Sequence, residues 1–230
     1  MTDIRAVLRQ CPLFRPFPAA GIEAATGLAR VRNFRADEPI YGKGAMQSTL
    51  SVIADGSVRI SSVNSAGREA ILVIFEPGAW FGDTVFSPGT PRVFGATAHA
   101  AATVVELPGE AFRQLMASYP EVYPVALDLV SRRLWNAMAI IEEDALRGIE
   151  ARVGRRLLFL SQMQAEGAVP SHPVTLRLTR EHIASMMGMT RQGVHGVLRD
   201  LQDRGLLASA YGQVTITDPE ALAAYLERLE

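Results

Sequence analysis

The sequence predicts an α+β chain: an N-terminal β-roll (jelly roll), one long helix, and a compact C-terminal domain of helices and a hairpin. Three observations predict it. Glycines recur every eleven residues between runs rich in Val, Ile and Phe, at Gly56, Gly67, Gly78 and Gly89. No glycine interrupts a helical pattern from about residue 121 to 146. Two helical segments, each preceded by a threonine, then lead into a hairpin sequence.

The composition is that of a globular protein long enough for two cores. Of the 230 residues, 48% are hydrophobic and 20% charged, and the net charge is −1. The first residues include Thr2, Asp3 and Arg5, and no apolar segment of a signal peptide follows them. A single cysteine, Cys11, cannot form an internal disulfide, which fits a reducing compartment. We therefore expect a cytoplasmic protein with no membrane contact and no metal site.

The β-roll is predicted to occupy residues 1–118. Apolar residues alternate over 50–54 and continue after the turn Asp55-Gly56, and an apolar run from Ala70 to Phe75 suits a buried strand that ends at Pro77-Gly78. Strands at this regular spacing, separated by turn residues, are typical of a small sandwich, barrel or roll.

Residues 119–147 are predicted to form a dimerisation helix. Apolar residues step by three and four along it, at Leu127, Val130, Leu134, Ala137 and Ile141. A second apolar face carries Leu129, Trp135 and Met138. One helix with two apolar faces usually serves two partners, so we expect the stripe to pair with a second copy. The alternative is that the stripe packs on the β-roll of its own chain.

Residues 148–230 are predicted to form a winged helix-turn-helix. Gly148 breaks the long helix; Thr179 caps a helix that Gly188 closes, and Thr190 caps a second one that ends at Gly205. A hairpin follows around Tyr211-Gly212. The order helix, turn, helix, hairpin is the order of elements in that motif.

The second helix carries the residues expected to read DNA. Arg191, Gln192, His195 and Arg199 project away from the apolar side formed by Val194, Leu198 and Leu201. Arginine binds guanine through two hydrogen bonds, and glutamine can pair with adenine. Gly196 has no side chain, which would allow the backbone of this helix to approach DNA closely. Residues 149–217 hold eight Lys and Arg against five Asp and Glu. The alternative is an ordinary helical hairpin with solvated arginines. We predict double-stranded DNA binding through Arg180, Thr190, Arg191, Gln192, His195 and Arg199.

The chain resembles the Crp/Fnr family, the cyclic-AMP receptor protein and its relatives, over about residues 13–216. The best-matched stretches run from Pro77 to Asp83 with Pro91-Arg92, over Arg132-Arg133-Leu134, and from Leu178 through Leu206. The resemblance implies a cyclic-nucleotide-binding-like roll and a homodimer that regulates transcription at a palindromic operator. It also implies a small effector at the roll, and contact with RNA polymerase if the protein is an activator.

The matched positions depart from the family pattern where cyclic AMP binds. Gly82 and Arg92 match, but Asp83 stands where Glu is usual, and Val93 and Phe94 replace a small hydroxyl residue and Ala. Ala137 and Met138 stand where the receptor contacts adenine with Thr and Ser. The resemblance therefore implies effector contacts at Gly82, Asp83, Arg92, Val93, Ala137 and Met138, with an effector other than cyclic AMP. On the reading helix Arg191 matches, whereas Gln192 and Gly196 imply a different operator.

The same residues bear on other cofactors and functions. Cys11 alone cannot hold a Cys₄ iron–sulfur cluster, while a haem with His99 or Cys11 as axial ligand stays an open alternative. An alternative function is a cyclic-nucleotide-binding module that acts on a protein partner. A second alternative is an enzyme, but the sequence shows no Ser-His-Asp, Cys-His, metal-spaced or phosphate-loop pattern. We therefore expect a regulator and not an enzyme.

Overall fold

The computed structural model describes residues 2–164, 170 and 172–229. It consists of two compact units, one of Met1–Ser62 with Ile74–Trp135 and the other of Val63–Val73 with Asn136–Glu230. The boundary between the units falls inside the long helix. The segment 119–147, predicted from the sequence as a separate dimerisation helix, is thus divided between the two units.

The N-terminus is helical, which the sequence analysis did not predict. Helix α1 (Ile4–Gln10) begins at Asp3, whose carboxylate accepts the Ala6 N–H at 3.1 Å. A 3₁₀ turn (Pro12–Phe14) and α2 (Ala19–Leu28) follow. Their apolar side chains join Leu50, Val105 and Phe112 in one core cluster. The N-terminal helices therefore cover one side of the roll.

The β-roll is built from two four-stranded sheets. The first has the order β1 (Arg30–Phe34), β8 (Ala102–Pro108), β3 (Thr49–Asp55), β6 (Trp80–Phe81). The second has the order β2 (Pro39–Tyr41), β7 (Gly95–Ala98), β4 (Val58–Val63), β5 (Glu69–Phe75). The strands predicted from the alternation and from the apolar run are β3, β4 and β5. In the first sheet β3 pairs antiparallel with β8, and Val52 lies opposite Val105.

The eleven-residue glycine repeat marks turns with left-handed backbone. All four glycines have positive φ, from 76° at Gly56 to 87° at Gly78. At Gly56 a Cβ atom would lie 2.0 Å from the Ala101 carbonyl oxygen. A side chain there is therefore excluded by both conformation and space.

Two helices follow the roll. Helix α3 (Gly109–Ser118) buries Phe112, Leu115 and Met116, and α4 (Val122–Leu146) is the predicted long helix. On α4 only Val122 and Ala126 are buried. The predicted stripe is exposed in the single chain, from 38% at Val130 to 69% at Leu127. The exposure of Leu127, Val130 and Leu134, which share a unit with the roll, disfavours the alternative that the stripe packs on the roll of its own chain.

The C-terminal part contains the predicted helices and hairpin. Its elements are α5 (Ile149–Gln164), β9 (Val174–Leu176), α6 (Arg180–Met187), α7 (Arg191–Asp203), β10 (Leu207–Ala210), β11 (Gln213–Ile216) and α8 (Pro219–Glu227). The hairpin β10–β11 pairs with β9 in a three-stranded sheet. Helix α8 begins at Asp218, whose side chain accepts the Ala221 N–H at 2.9 Å. These elements agree with the order that the sequence predicts.

Candidate functional site

Helix α6 is closed at both ends by local hydrogen bonds. The Thr179 hydroxyl accepts the His182 N–H at 3.1 Å, and His182 Nδ1 accepts the Thr179 N–H at 3.2 Å. Gly188 ends the helix at a φ of 62°, and the Met189 N–H donates to the Ala184 carbonyl at 3.0 Å. This reciprocal cap and the glycine turn fix where α7 begins.

Helix α7 is held by its cap and by one buried side. The Thr190 hydroxyl accepts the Gly193 N–H at 3.1 Å. Val194, Leu198 and Leu201 are fully or almost fully buried. Because apolar residues at this spacing lie on one side of a helix, the opposite side must face outward.

The outward face of α7 carries four of the six residues predicted to bind DNA. Arg191, Gln192, His195 and Arg199 are all exposed, as is Arg180 at the start of α6. Within the described residues, none of the three arginines forms an ion pair. Arginines that are not neutralised by their own chain are available to phosphates and base edges. Thr190, the remaining predicted residue, is exposed and caps α7.

Gly196 lies in the middle of α7 without a packing reason. A Cβ atom at this position would meet nothing within 4 Å. Glycine inside a helix costs about 1 kcal/mol relative to alanine. Gly196 therefore lowers the stability of α7 without a packing contact that requires a glycine. Tyr211, at the tip of the hairpin, is fully exposed.

In the β-roll, Arg92 is a buried cation, and two of its nitrogens make no hydrogen bond within the described chain. Its side chain is 3% exposed, and its Nη2 donates to the Thr49 carbonyl at 2.8 Å and to the Thr49 hydroxyl at 3.1 Å. Within the described chain its Nε and Nη1 have no hydrogen-bond partner. A buried guanidinium without a carboxylate is costly unless an anion compensates it.

Tyr41 and Gly82 shape the surroundings of Arg92. The guanidinium lies 4.2 Å from the centroid of the Tyr41 ring. Burial raises the pKa of Tyr41 to about 12, so its phenol stays neutral and does not compensate the cation. Gly82 has a φ of 103°, and a Cβ there would lie 2.3 Å from the Thr49 carbonyl oxygen and 3.1 Å from Arg92 Nη1. Gly82 therefore lets the arginine approach the backbone.

Asp83 is held by an arginine of α4. Arg133 Nη1 lies 2.6 Å from Asp83 Oδ1, and the guanidinium carbon lies 3.6 Å from the centroid of the Trp80 ring. The resemblance assigned Asp83 to the effector. The structure adds an intramolecular partner for the same carboxylate.

Two family models match this chain in the order that the fold shows. A cyclic nucleotide-binding domain model matches residues 31–119, and a Crp-like helix-turn-helix domain model matches residues 151–225. Together the two matches span more than half of the chain. The chain belongs to the Crp/Fnr family. It is a DNA-binding transcription regulator with a cyclic-nucleotide-binding domain.

Similar Crp/Fnr proteins cover most of the chain. A CRP-like cAMP-activated global transcriptional regulator of Mycobacterium tuberculosis is 29% identical over 218 residues, 94% of this chain and 97% of the relative. The cAMP-activated global transcriptional regulator CRP of Haemophilus influenzae is 25% identical, over 81% of this chain and 83% of the relative. A CRP-family transcriptional regulator from Thermus thermophilus has a similar structure, with a TM-score of 0.66, 28% identity and coverage of 86% and 98%.

In this Crp/Fnr chain the remaining predicted effector residues are exposed. Val93 is 53% and Phe94 42% exposed in the loop that follows Arg92. Ala137 and Met138 are exposed on the part of α4 that belongs to the second unit. Sequence reasoning missed Thr49 and Tyr41, which contact Arg92. No local sequence pattern around Thr49 or Tyr41 indicates that either residue contacts Arg92.

The haem alternative involves two residues with different surroundings. Cys11 is fully buried in the N-terminal core, and burial raises the pKa of its thiol to about 12, which disfavours a thiolate ligand. The His99 side chain is half-buried, and the backbone N–H of His99 donates to the Ser57 carbonyl at 2.8 Å. Across the described ranges, no three His, Cys, Asp or Glu side chains cluster as a metal site. None of the described helices is long and apolar enough to span a membrane.

Proposed function

We propose that this regulator acts as a homodimer that binds a palindromic operator through α7 of each protomer. A small effector in the β-roll, other than cyclic AMP, controls it. The observation that carries the proposal is the outward face of α7, where Arg191, Gln192, His195 and Arg199 are exposed and the arginines have no ion pair in the described chain. Such a face is suited to a major groove, because arginine and glutamine recognise guanine and adenine edges there.

Dimerisation is supported by the exposed stripe of α4. Leu127, Val130, Leu134 and Ile141 are between 38% and 69% exposed in the single chain, and the neighbouring Trp135 is 63% exposed. A contiguous apolar face of this kind is typical of a protein interface. A two-fold dimer places two copies of α7 on two half-sites, and this symmetry is the reason for an operator with inverted repeats.

The effector is proposed to be an anion held by Arg92. Nε and Nη1 of this guanidinium lack partners in the described chain, and its side chain is almost fully buried. The resemblance places the cyclic phosphate of cyclic AMP on this arginine. Val93 has no side-chain donor for such a phosphate, and Phe94 is bulkier than the residue that the receptor carries. These two residues support an effector different from cyclic AMP, which activates the relatives named above.

A selection from random duplex DNA tests the proposal. Purified protein is incubated with a random library at physiological salt, and the bound fraction is sequenced after several rounds. We expect an inverted repeat whose half-sites lie about one helical turn apart, roughly 34 Å. Enrichment of no sequence, or of a single half-site without symmetry, contradicts the proposal. If the protein is an activator, RNA polymerase is the further partner, and in vitro transcription from the selected site measures this.

A further inference from the structure

We propose that charged residues on both sides of Gly148 form an ionic clasp, which fixes the direction in which α5 leaves α4 and keeps the helix-turn-helix ready to bind DNA. The clasp is the ion pair between Asp144 on α4 and Arg152 on α5, with Glu143 and Arg156 beside it. All four residues belong to the second compact unit. The DNA-binding part of this proposal rests on the proposed function, whereas the clasp itself does not.

The central contact of the clasp bridges the joint between the two helices. Asp144 Oδ1 accepts a hydrogen bond from Arg152 Nε at 2.8 Å, and Arg152 Nη2 lies 2.7 Å from the same oxygen. Helix α4 ends at Leu146 and α5 begins at Ile149. At Gly148, between them, a Cβ atom would meet nothing within 4 Å. Packing therefore does not hold the joint at this glycine, whereas the ion pair spans it.

Each charged group of the clasp lies at a helix end where the helix dipole disfavours its sign of charge. Glu143 and Asp144 lie in the last turn of α4, where the helix dipole favours cations. Arg152 lies in the first turn of α5, where the dipole favours anions. Neither placement stabilises its own helix. Each becomes favourable only when the carboxylates of one helix face the guanidiniums of the other.

A buried arginine of α5 lies close to the two carboxylates of the clasp. Arg156 is 8% exposed, and burial lowers its pKa while the nearby Asp144 and Glu143 raise it. Glu143 is half-buried; burial raises its pKa, while the nearby Arg155, Arg156 and Arg147 lower it. The Asp144–Arg152 ion pair is itself partly exposed, at 46% for the Asp144 side chain and 22% for that of Arg152, so we expect it to orient the two helices more than it adds stability. The carboxylates of α4 also favour the charged form of Arg156, which α5 buries.

Neutral substitutions across the joint test the clasp. Asp144→Asn, Arg152→Gln and the double variant are compared with Glu142→Gln, which removes one charge from an exposed neighbour without a described ion pair. The rate of amide hydrogen exchange over residues 144–153 measures how often the backbone between α4 and α5 opens. We expect exchange in both single variants to be faster by about fivefold or more. The double variant should add little, because both substitutions remove the same contact.

The same variants are then measured on the selected operator. We expect Asp144→Asn and Arg152→Gln to raise the Kd by about threefold or more, because a mobile joint must be ordered on binding. Glu142→Gln should leave both readouts unchanged. The clasp is overturned if the exchange rates stay at the wild-type level, or if they rise while the Kd does not change. Should the wild-type protein bind no DNA, the proposed function fails, and the exchange rates still decide whether the clasp exists.

Discussion

Arg133 on α4 is joined to Asp83 of the β-roll by an ion pair, with 2.6 Å between Nη1 and Oδ1. Its Nη2 also donates to the Trp80 carbonyl, and its guanidinium lies over the Trp80 ring at 3.6 Å. Trp80 is almost fully buried, while Arg133 is about a quarter exposed. The long helix is therefore tied to the segment that carries Asp83 by three separate interactions of one side chain.

Replacing Arg133 by alanine should destabilise the chain. The loss combines a partly screened ion pair, a hydrogen bond and a cation–π contact, for which we expect about 2 kcal/mol in urea unfolding followed by fluorescence. The control is Arg132→Ala, since Arg132 is exposed and, among the described residues, forms an ion pair only with Asp128 on its own helix. We expect the urea midpoint of Arg132→Ala to equal that of the wild type. Equal midpoints for the two variants would show that the contacts of Arg133 are not stabilising.

Cyclic AMP should bind weakly or not at all. Val93 and Phe94 stand where the receptor offers a phosphate donor and a small residue, although Arg92 alone can still attract a phosphate. Isothermal titration calorimetry should therefore give at most millimolar affinity. The variant Val93→Ser with Phe94→Ala should bind cyclic AMP more tightly than the wild type. A micromolar or tighter Kd for the wild type contradicts the assignment.

Placing a charge in the α4 stripe should dissociate the dimer. Leu134 is 59% exposed in the single chain, so Leu134→Asp has little effect on folding but buries a carboxylate when two copies pair. Sedimentation velocity should show a monomer, and operator binding should weaken with it. Met46→Asp is the control, because Met46 has a similar exposure of 65% but lies outside α4. A Leu134→Asp variant that remains dimeric shows that the stripe is not the interface.

Gly196→Ala should separate stability from DNA binding. The added methyl group meets nothing in the described chain, so it should stabilise the helix by about 0.5–1 kcal/mol. If the backbone of α7 approaches DNA at this position, the same methyl group should raise the Kd for the operator by about tenfold. Thermal unfolding and fluorescence anisotropy measure the two effects. An unchanged Kd would leave the glycine without a role in binding.

The helix caps and turns of the fold were predictable because they depend on neighbouring residues. Thr179, Gly188 and Thr190 bound the helices of the helix-turn-helix as predicted, since each acts on backbone within a few positions. The apolar sides of α4 and α7 follow from helical spacing alone. The N-terminal helices were missed, because α2 is a short segment with little apolar periodicity around Gly21 and Gly27.

The environment of the predicted effector residues was not predictable. Arg92 was identified by resemblance, but its contact with Thr49 joins residues 43 positions apart. The ion pair between Asp83 and Arg133 spans 50 positions. Contacts of this range depend on how strands and helices meet, and they leave no local pattern in a single sequence.

The ratio of operator affinity to random-duplex affinity in Arg191→Ala tests most directly whether α7 reads the DNA sequence. Affinities for the selected operator and for random duplex are measured at several salt concentrations, for wild type, Arg191→Ala and Arg180→Ala. Arg191→Ala should cost about 1–3 kcal/mol on the operator and relax the preference at one guanine. Arg180→Ala should weaken both duplexes equally and lower the salt slope by about one. If Arg191→Ala leaves the ratio of specific to random affinity unchanged, α7 does not read the operator.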